Sequence, residues 1–126
     1  MPPTQTQRFV LRYHDGMPVT IADKVTALSV DLGSQRRLAE LLGVNPAQVS
    51  RWRHGQGIDE VNARRVDLLE LVMADLLRLY PPAAAERWLL GTNPNLGSCR
   101  PLDIIRRGRA GQVLEALESE RAGSFA

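Results

Sequence analysis

The sequence predicts an all-α protein, and three observations lead to that prediction. Apolar residues recur every three or four positions in most segments between residues 20 and 121, which is the spacing of one helix face. Residues that cap or end helices stand at the borders of these segments. Strand-like alternation is weak and confined to residues 9–19. We divide the chain into an arm (residues 1–19), a helical region (20–80) and a second helical module (81–126).

The N-terminal arm carries little structural signal. Residues 1–8 are polar, contain two prolines and are expected to be mobile. Residues 9–19 alternate around Asp15-Gly16, which allows either a short hairpin or an extended segment. The arm also lacks the basic and then apolar order of a signal peptide.

The first predicted helix begins after Thr20 and ends at Gly33. The Thr20 hydroxyl can accept a backbone N–H of the first turn, and Asp23 stands at the reciprocal position of a capping box. Its apolar stripe consists of Ile21, Val25, Leu28 and Leu32. We expect this stripe to pack on the two helices that follow.

Residues 35–54 predict two short helices joined by a tight turn. Ser34 is a cap for the first, and Gly43 ends it because glycine adopts the left-handed conformation without a Cβ clash. Asn45 and Pro46 then begin a second helix, with Gln48 placed to complete a capping box. The apolar face of the first helix holds Leu38, Leu41 and Leu42, and Val44 fills the corner. This pattern is typical of a helix-turn-helix.

The second of these helices has the composition of a DNA-reading helix. Val49 and Trp52 lie one turn apart and are expected to face inward, which leaves a polar and basic outer face. We assign base contacts to Ala47, Gln48 and Arg51, and phosphate contacts to Ser34, Gln35 and Arg53, with Ser50 on the same outer face. An ordinary surface hairpin with a solvated polar face is the alternative.

The charge of the chain permits nucleic-acid binding without requiring it. The formal net charge is only +2 and the isoelectric point about 9.2, so the local distribution matters more. Between residues 33 and 65 the basic residues are Arg36, Arg37, Arg51, Arg53, Arg64 and Arg65, against three acidic ones. Lys24 is the only lysine, and arginine suits bidentate contacts to guanine or phosphate. A GC-rich coding genome produces the same arginine bias.

Residues 59–80 predict the longest helix, which Pro81-Pro82 terminates. It has two adjacent apolar rows, wider than one small helical domain needs to bury. The rows are Val61, Leu68, Val72, Leu76 and Leu79, and Val66, Leu69, Met73, Leu77 and Tyr80. This helix is therefore either the central pillar of the chain, part of an oligomer interface, or both. Helix-turn-helix proteins generally dimerise to match two DNA half-sites, so we expect a homodimer.

The character of the chain changes after Pro82. Three shorter helices are predicted at residues 83–90, 102–107 and 111–121, and residues 91–100 form a loop with turn signals at Asn93-Pro94 and Gly97. The loop is expected to supply turns and backbone hydrogen bonds rather than core. The tail from Glu115 onward either threads into a partner or frays.

Residues 87–117, RWLLGTNPNLGSCRPLDIIRRGRAGQVLEAL, resemble the C-terminal toxin-binding domain of the Xre/MbcA/ParS family of type II antitoxins. In that family a helix-turn-helix precedes this domain, so the resemblance covers about residues 20–126. The positions that carry it are Trp88, Asn95, Leu96, Gly97, Pro101, Leu102, Ile105, Gly108, Val113 and Leu117. The arm lies outside the family pattern.

This resemblance implies both an architecture and a function. The implied fold is an Xre/Cro-like helix-turn-helix bundle joined by a long helix to a small C-terminal helical domain. The implied function is that of an antitoxin, which covers the active site of a RES-domain toxin that consumes NAD and represses its own operon by binding operator DNA. The implied assembly is a homodimer within a larger hetero-oligomer with the toxin.

The second module contains residues suited to a partner surface. Four arginines near Asp103 can meet an acidic cleft or a phosphate-binding site, although a solvated helix face has the same composition. Trp88 is either an interface anchor or a core residue. The candidate toxin-binding residues are Arg87, Trp88, Asn95, Arg100, Arg106, Arg107 and Arg109.

We find no catalytic constellation in the sequence and expect neither an enzyme nor a cofactor. His14 and His54 stand in unrelated segments without metal-ligand spacing, and Cys99 more often represents a small packed residue than a reactive thiol. No glycine-rich turn follows a strand as in a phosphate-binding loop. One cysteine and no long apolar run predict a cytoplasmic protein without membrane contact. The alternative function is a stand-alone dimeric transcriptional repressor with a helix-turn-helix.

Overall fold

The computed structural model describes residues 13, 14 and 17–124, and it confirms the all-α prediction. The only sheet in this part of the chain is a pair of two-residue antiparallel strands, β1 (Tyr13–His14) and β2 (Met17–Pro18). Their antiparallel pairing agrees with the expected hairpin at residues 13, 14, 17 and 18, and the rest of residues 9–16 lies outside the described residues. The predicted mobility of residues 1–8 lies outside the described residues.

Seven α-helices follow the strands. Their bounds are α1 Ile21–Leu32, α2 Gln35–Leu42, α3 Pro46–Arg53, α4 Glu60–Leu79, α5 Pro82–Leu90, α6 Pro101–Arg106 and α7 Ala110–Ser124. A 3₁₀ turn, Pro94–Leu96, lies in the loop between α5 and α6. Most ends agree with the sequence prediction within one residue. The exception is α7, which continues as helix to Ser124, three residues beyond its predicted end at residue 121.

The predicted caps account for this agreement. Thr20 Oγ1 accepts the Asp23 N–H at 3.2 Å, and Ser34 Oγ accepts the Arg37 N–H at 3.1 Å. Gly43 ends α2 with a φ of 67°, and Val44 donates its N–H back to the Ala39 carbonyl at 3.0 Å. These hydrogen bonds satisfy backbone groups that a helix end otherwise leaves unpaired. Local signals therefore determine where α1 and α2 begin and end.

The long helix α4 is the central pillar of the described structure. It contacts α1, α2, α5 and α7, and the buried core forms one continuous cluster from Val25 to Leu117. The cluster includes six buried side chains of α4: Val66, Leu69, Val72, Met73, Leu76 and Leu77. Val61, the first residue of one predicted apolar row, lies outside this core: its side chain is 70% exposed, one turn before the packed part of α4 begins.

Ion pairs also join helices that are distant along the chain, and one of these pairs connects the helical region to the second module. Lys24 Nζ on α1 lies 2.8 Å from an Asp67 oxygen on α4, and Arg37 on α2 lies 3.2 Å from Glu86 on α5. α2 and α6 are in direct contact as well. Exposed ion pairs contribute little to stability on their own, so the shared apolar core is the main connection. In the described part of the chain, no helix combines the length and the apolar character needed to cross a lipid bilayer.

The left-handed glycine at the α2–α3 corner gives a first prediction. Gly43→Ala is expected to lower the free energy of unfolding by ~1–2 kcal/mol, because a Cβ meets no atom there but the positive φ disfavours it. Gly57→Ala is the control, since no positive φ and no close atom oppose a Cβ at that position. Urea denaturation of both variants measures the difference, and equal stability of the two variants would contradict this account of the corner.

Candidate functional site

The candidate DNA-reading face lies on α3. Val49 and Trp52 are buried, at 0% and 5% exposure, and anchor α3 against the core. The predicted outer residues Ala47, Arg51 and Arg53 are exposed, and Gln48 and Ser50 are partly exposed. We call these five residues the recognition face. A helix that is held by two buried side chains and presents short and basic residues outward has the form required for the major groove.

The capping of α3 limits what Gln48 can do. Its Oε1 accepts the Asn45 N–H at 3.1 Å, and Asn45 Oδ1 accepts the Ala47 N–H at 2.9 Å, so the predicted capping box is present. A glutamine that reads adenine uses both its oxygen and its amide group. Because the Gln48 oxygen is held at the start of α3, Arg51 is the more available residue for base contacts.

Two predicted phosphate contacts are joined to each other. Arg53 Nη1 on α3 donates a hydrogen bond to Gln35 Oε1, at the start of α2. The bond uses one of the five donors of the guanidinium and leaves the others available for phosphate oxygens. Ser34 also caps α2, with its hydroxyl hydrogen still able to donate. The start of α2 and the end of α3 therefore form one surface of hydrogen-bond donors whose side chains are already held in place.

The basic patch expected between residues 33 and 65 is smaller than its composition suggests. Arg65 is partly buried, and its Nη1 donates to the Leu42 carbonyl at the C-terminal end of α2. Arg37 pairs with Glu86. Arg36, Arg51, Arg53 and Arg64 remain exposed. Arg65 thus satisfies a helix-end carbonyl rather than contributing to a DNA surface.

Asn93 organises the loop between α5 and α6. This asparagine is only 8% exposed, and its Oδ1 accepts the Asn95 N–H at 2.9 Å. Its backbone pairs with Cys99 in an isolated antiparallel bridge. Gly97 and Ser98 both have a positive φ, at 64° and 62°, which returns the chain sharply to α6. Asn95 is held exposed at the tip, as a candidate contact residue requires.

Three of the predicted arginines of the second module act on one carboxylate, that of Asp103. Arg100 donates two hydrogen bonds to Asp103, at 2.9 and 3.1 Å. These bonds lower the pKa of Asp103, and the charges of Arg100, Arg106 and Arg107 lower it further. We use the name arginine cluster for four residues that are all exposed: Arg100, Arg106, Arg107 and Arg109. Arg87 is also exposed, on α5. Between residues 100 and 109 four exposed arginines stand against one aspartate, which leaves a net positive surface suited to an acidic partner.

Glu120 links three helices through a network that the sequence analysis missed. The Trp88 indole N–H donates to Glu120 Oε2 at 2.7 Å, and the Tyr80 hydroxyl donates to Glu120 Oε1. The hydrogen bond to Glu120, followed by burial and by the carboxylate charge, raises the pKa of Tyr80 to about 12. Trp88 also packs on the core. Tyr80 and Trp88 were the sequence signal that could have revealed this network, because the polar group of a partly buried tyrosine or tryptophan usually needs a hydrogen-bond partner.

The remaining candidate groups are not arranged for catalysis. Cys99 is partly buried, and its Sγ lies 3.9 Å from the Gly97 carbonyl oxygen. His54 Nδ1 lies 2.7 Å from the Ser50 carbonyl oxygen at the end of α3. Within residues 13, 14 and 17–124, no group of three or more histidine, cysteine or acidic residues is placed to hold a metal ion. His14 lies in β1, away in sequence from both.

Comparison with known proteins places the chain near one group of antitoxins. No protein-family model matches it. The chain is 26% identical over 107 residues to the proteins named mycobacterial cidal antitoxin MbcA of Mycobacterium bovis and Mycobacterium tuberculosis, covering 83% of this chain and 95% of theirs. In a solved structure, the M. tuberculosis MbcT-MbcA toxin-antitoxin complex, one chain matches with a TM-score of 0.69 and 26% identity, over 85% of this chain and 98% of that one. These relatives agree with the expectation that the chain is not an enzyme.

The Glu120 network predicts a shifted tyrosine titration. In a Tyr13→Phe background, the phenolate absorbance of Tyr80 is expected to appear around pH 12 rather than at the ordinary value of 10.0. Because the folded pKa lies above the unfolded one, the network stabilises the fold fully below pH 10 and loses this contribution as the pH rises toward 12. Glu120→Gln should return the midpoint toward 10. Circular dichroism in the same samples confirms that the chain is folded, and a folded wild-type midpoint at 10 would refute the network.

Proposed function

We propose that this protein is the antitoxin of a type II toxin–antitoxin system and that its partner is a RES-domain toxin that consumes NAD. The observation that carries the proposal is the match, over 85% of this chain and 98% of the other, to a chain in an MbcT-MbcA toxin-antitoxin complex. The match extends beyond the helix-turn-helix to the second module. A general DNA-binding protein would need to resemble that complex only in its N-terminal half.

The second module is the part that binds the toxin in this proposal. It presents the arginine cluster on α6 and at the start of α7, and the exposed Asn95 on the preceding loop. The Glu120 network holds α7 against α5 and the end of α4, so the cluster is presented on a fixed surface. A rigid cationic surface loses little conformational entropy on binding, which favours tight association with an acidic cleft. Inhibition then follows from covering the toxin's active site.

The helix-turn-helix serves autoregulation in this proposal, by binding operator DNA as a homodimer. The recognition face of α3, with Arg51 and Ala47 exposed, supports it, as do the donors Ser34, Gln35 and Arg53 on the flanking helix ends. Phosphate contacts set the register of α3 in the major groove, and Arg51 reads base edges. The same geometry supports the alternative, a stand-alone dimeric repressor that binds no toxin.

Toxin neutralisation separates these two functions. The chain is co-expressed with the toxin encoded beside it, and growth, complex formation and NAD consumption are measured. Arg107→Glu with Arg109→Glu is expected to weaken the complex by at least about tenfold, because reversed charges at an interface cost several kcal/mol. Arg64→Glu with Arg36→Glu is the matched control, since both residues are exposed on the other module. The antitoxin proposal fails if the wild-type chain forms no complex and leaves the NAD-consuming activity intact.

DNA-binding measurements test the other half of the proposal, that α3 binds DNA independently of toxin neutralisation. Arg51→Ala is expected to weaken binding to the chain's own promoter fragment by ~1–3 kcal/mol. Arg53→Ala is expected to reduce the slope of the logarithm of the binding constant against the logarithm of the salt concentration by ~1. Both variants should still neutralise the toxin. Arg109→Ala is the control that leaves DNA binding unchanged. Titrations at several salt concentrations measure both effects. Loss of DNA binding and neutralisation together in Arg51→Ala would contradict the division of labour between the modules.

A further inference from the structure

Arg100 and Asp103 form a two-bond contact on the surface of the second module. Arg100 Nε donates to Asp103 Oδ2 at 2.9 Å, and Arg100 Nη2 donates to Asp103 Oδ1 at 3.1 Å. Each carboxylate oxygen therefore receives its own N–H, which is the bidentate arrangement that fixes the orientation of a guanidinium. Both side chains remain accessible, with 43% of Arg100 and 34% of Asp103 exposed. The pair is thus an ordered feature of an open surface.

This pairing leaves one edge of the Arg100 guanidinium open. A guanidinium has five N–H donors, and Asp103 takes two of them, one on Nε and one on Nη2. The other three, one on Nη2 and two on Nη1, belong to the opposite edge of the same planar group. Nη1 and Nη2 together form a second fork that matches the two oxygens of a carboxylate. Arg100 can therefore bind a second carboxylate while Asp103 holds it in place.

The backbone on either side of Arg100 is also held. The carbonyl of Cys99, one residue before it, accepts the Asn93 N–H at 3.0 Å. Pro101, one residue after it, is buried at the start of α6. Arg100 is therefore restrained at its backbone by its neighbours and at its tip by Asp103. An arginine ordered in this way before binding loses less conformational entropy when a partner arrives.

The charges around Asp103 keep the pair ionised. Hydrogen bonds from Arg100 lower the pKa of Asp103, the charges of Arg100, Arg106 and Arg107 lower it further, and the same hydrogen bonds raise the pKa of Arg100. The Asp103 carboxylate in turn offsets the repulsion among these positive groups. Its removal would free the tip of Arg100 and leave the like charges to repel each other.

We propose that Asp103 is a positioning residue of the toxin-binding surface, and that it holds Arg100 so that the open edge of the guanidinium receives a carboxylate of the toxin. This inference rests on the proposed function, because the toxin is the partner. Net charge and positioning predict opposite effects. Removing an acidic residue from a basic surface strengthens binding to an acidic partner if only charge matters. If Asp103 positions Arg100, its removal weakens binding.

The affinity for the toxin encoded beside this chain, prepared free of dinucleotide, tests the sign. Asp103→Asn is expected to weaken binding by about threefold to tenfold, because Arg100 must then be ordered on binding. Arg100→Lys should weaken it by at least about tenfold, since lysine keeps the charge but lacks the planar fork. Asp75→Asn is the matched control: it removes the carboxylate of another arginine pair of the same spacing, on α4, and should leave the affinity unchanged.

A double-variant comparison shows whether Asp103 acts through Arg100. In an Arg100→Lys background, Asp103→Asn should weaken binding no further, because the group that it positions is gone. Equal losses in both backgrounds would overturn the proposal, and so would tighter binding by Asp103→Asn alone. A loss that appears only after NAD is added would also overturn it, since the open edge would then meet a phosphate rather than a carboxylate of the toxin.

Nuclear magnetic resonance of the free chain gives a readout that needs no toxin. The Arg100 Nε–H should be ordered in the wild type and mobile in Asp103→Asn, with the backbone amide spectrum otherwise preserved. A mobile Arg100 Nε–H in the wild type would refute positioning by Asp103. A wild-type chain with an ordered Arg100 that binds no toxin would instead refute the proposed function, and with it the carboxylate partner.

Discussion

The two apolar rows of α4 are buried by helices of both modules, and this constraint ties the positions of those helices to α4. The helix spans 20 residues, or about 30 Å, and its side chains from Val66 to Leu77 belong to one core cluster. α1 and α2 of the first helical region contact this helix, and so do α5 and α7 of the second module. Each group of short helices is too small to bury such a surface alone, and below about 40 residues independent folding is rare. The long helix is therefore what makes the two modules a single folded body.

This shared core has a functional consequence. In the proposed function, α3 binds DNA and the arginine cluster binds the toxin. The helices that carry these two surfaces pack on neighbours that contact α4. Arg65 of α4 caps the end of α2, while Glu120 joins α7 to Tyr80 at the C-terminal end of α4. Neither surface can be displaced without disturbing packing against α4. The two surfaces are therefore held in fixed positions on one framework, and each binds its own partner.

The sequence predicted the parts of this structure that depend on local signals. Thr20, Ser34, Gly33 and Gly43 determine helix ends through hydrogen bonds within a few residues, so their roles follow from spacing alone. The corner between α2 and α3 and the buried positions of Val49 and Trp52 follow in the same way.

Contacts between distant residues were not predictable from these patterns. The Glu120 network, the turn of Arg65 toward the Leu42 carbonyl and the exposure of Val61 all depend on how α4 meets its neighbours. In the candidate site, the exposure of the arginines followed from composition, but the hydrogen bond that restrains Gln48 changes which residue is available to read DNA. Periodicity gives the face of a helix, and it does not give the partner of that face.

Hydrogen exchange of the chain, free and in complex with the toxin encoded beside it, tests the central claim most directly. The antitoxin account predicts that the toxin slows amide exchange in α6, the start of α7 and the loop at residues 91–100, and leaves α3 unchanged. Operator DNA should slow exchange in α3 and at the start of α2 instead. Protection of α3 by the toxin, or no protection anywhere in the second module, would contradict the account.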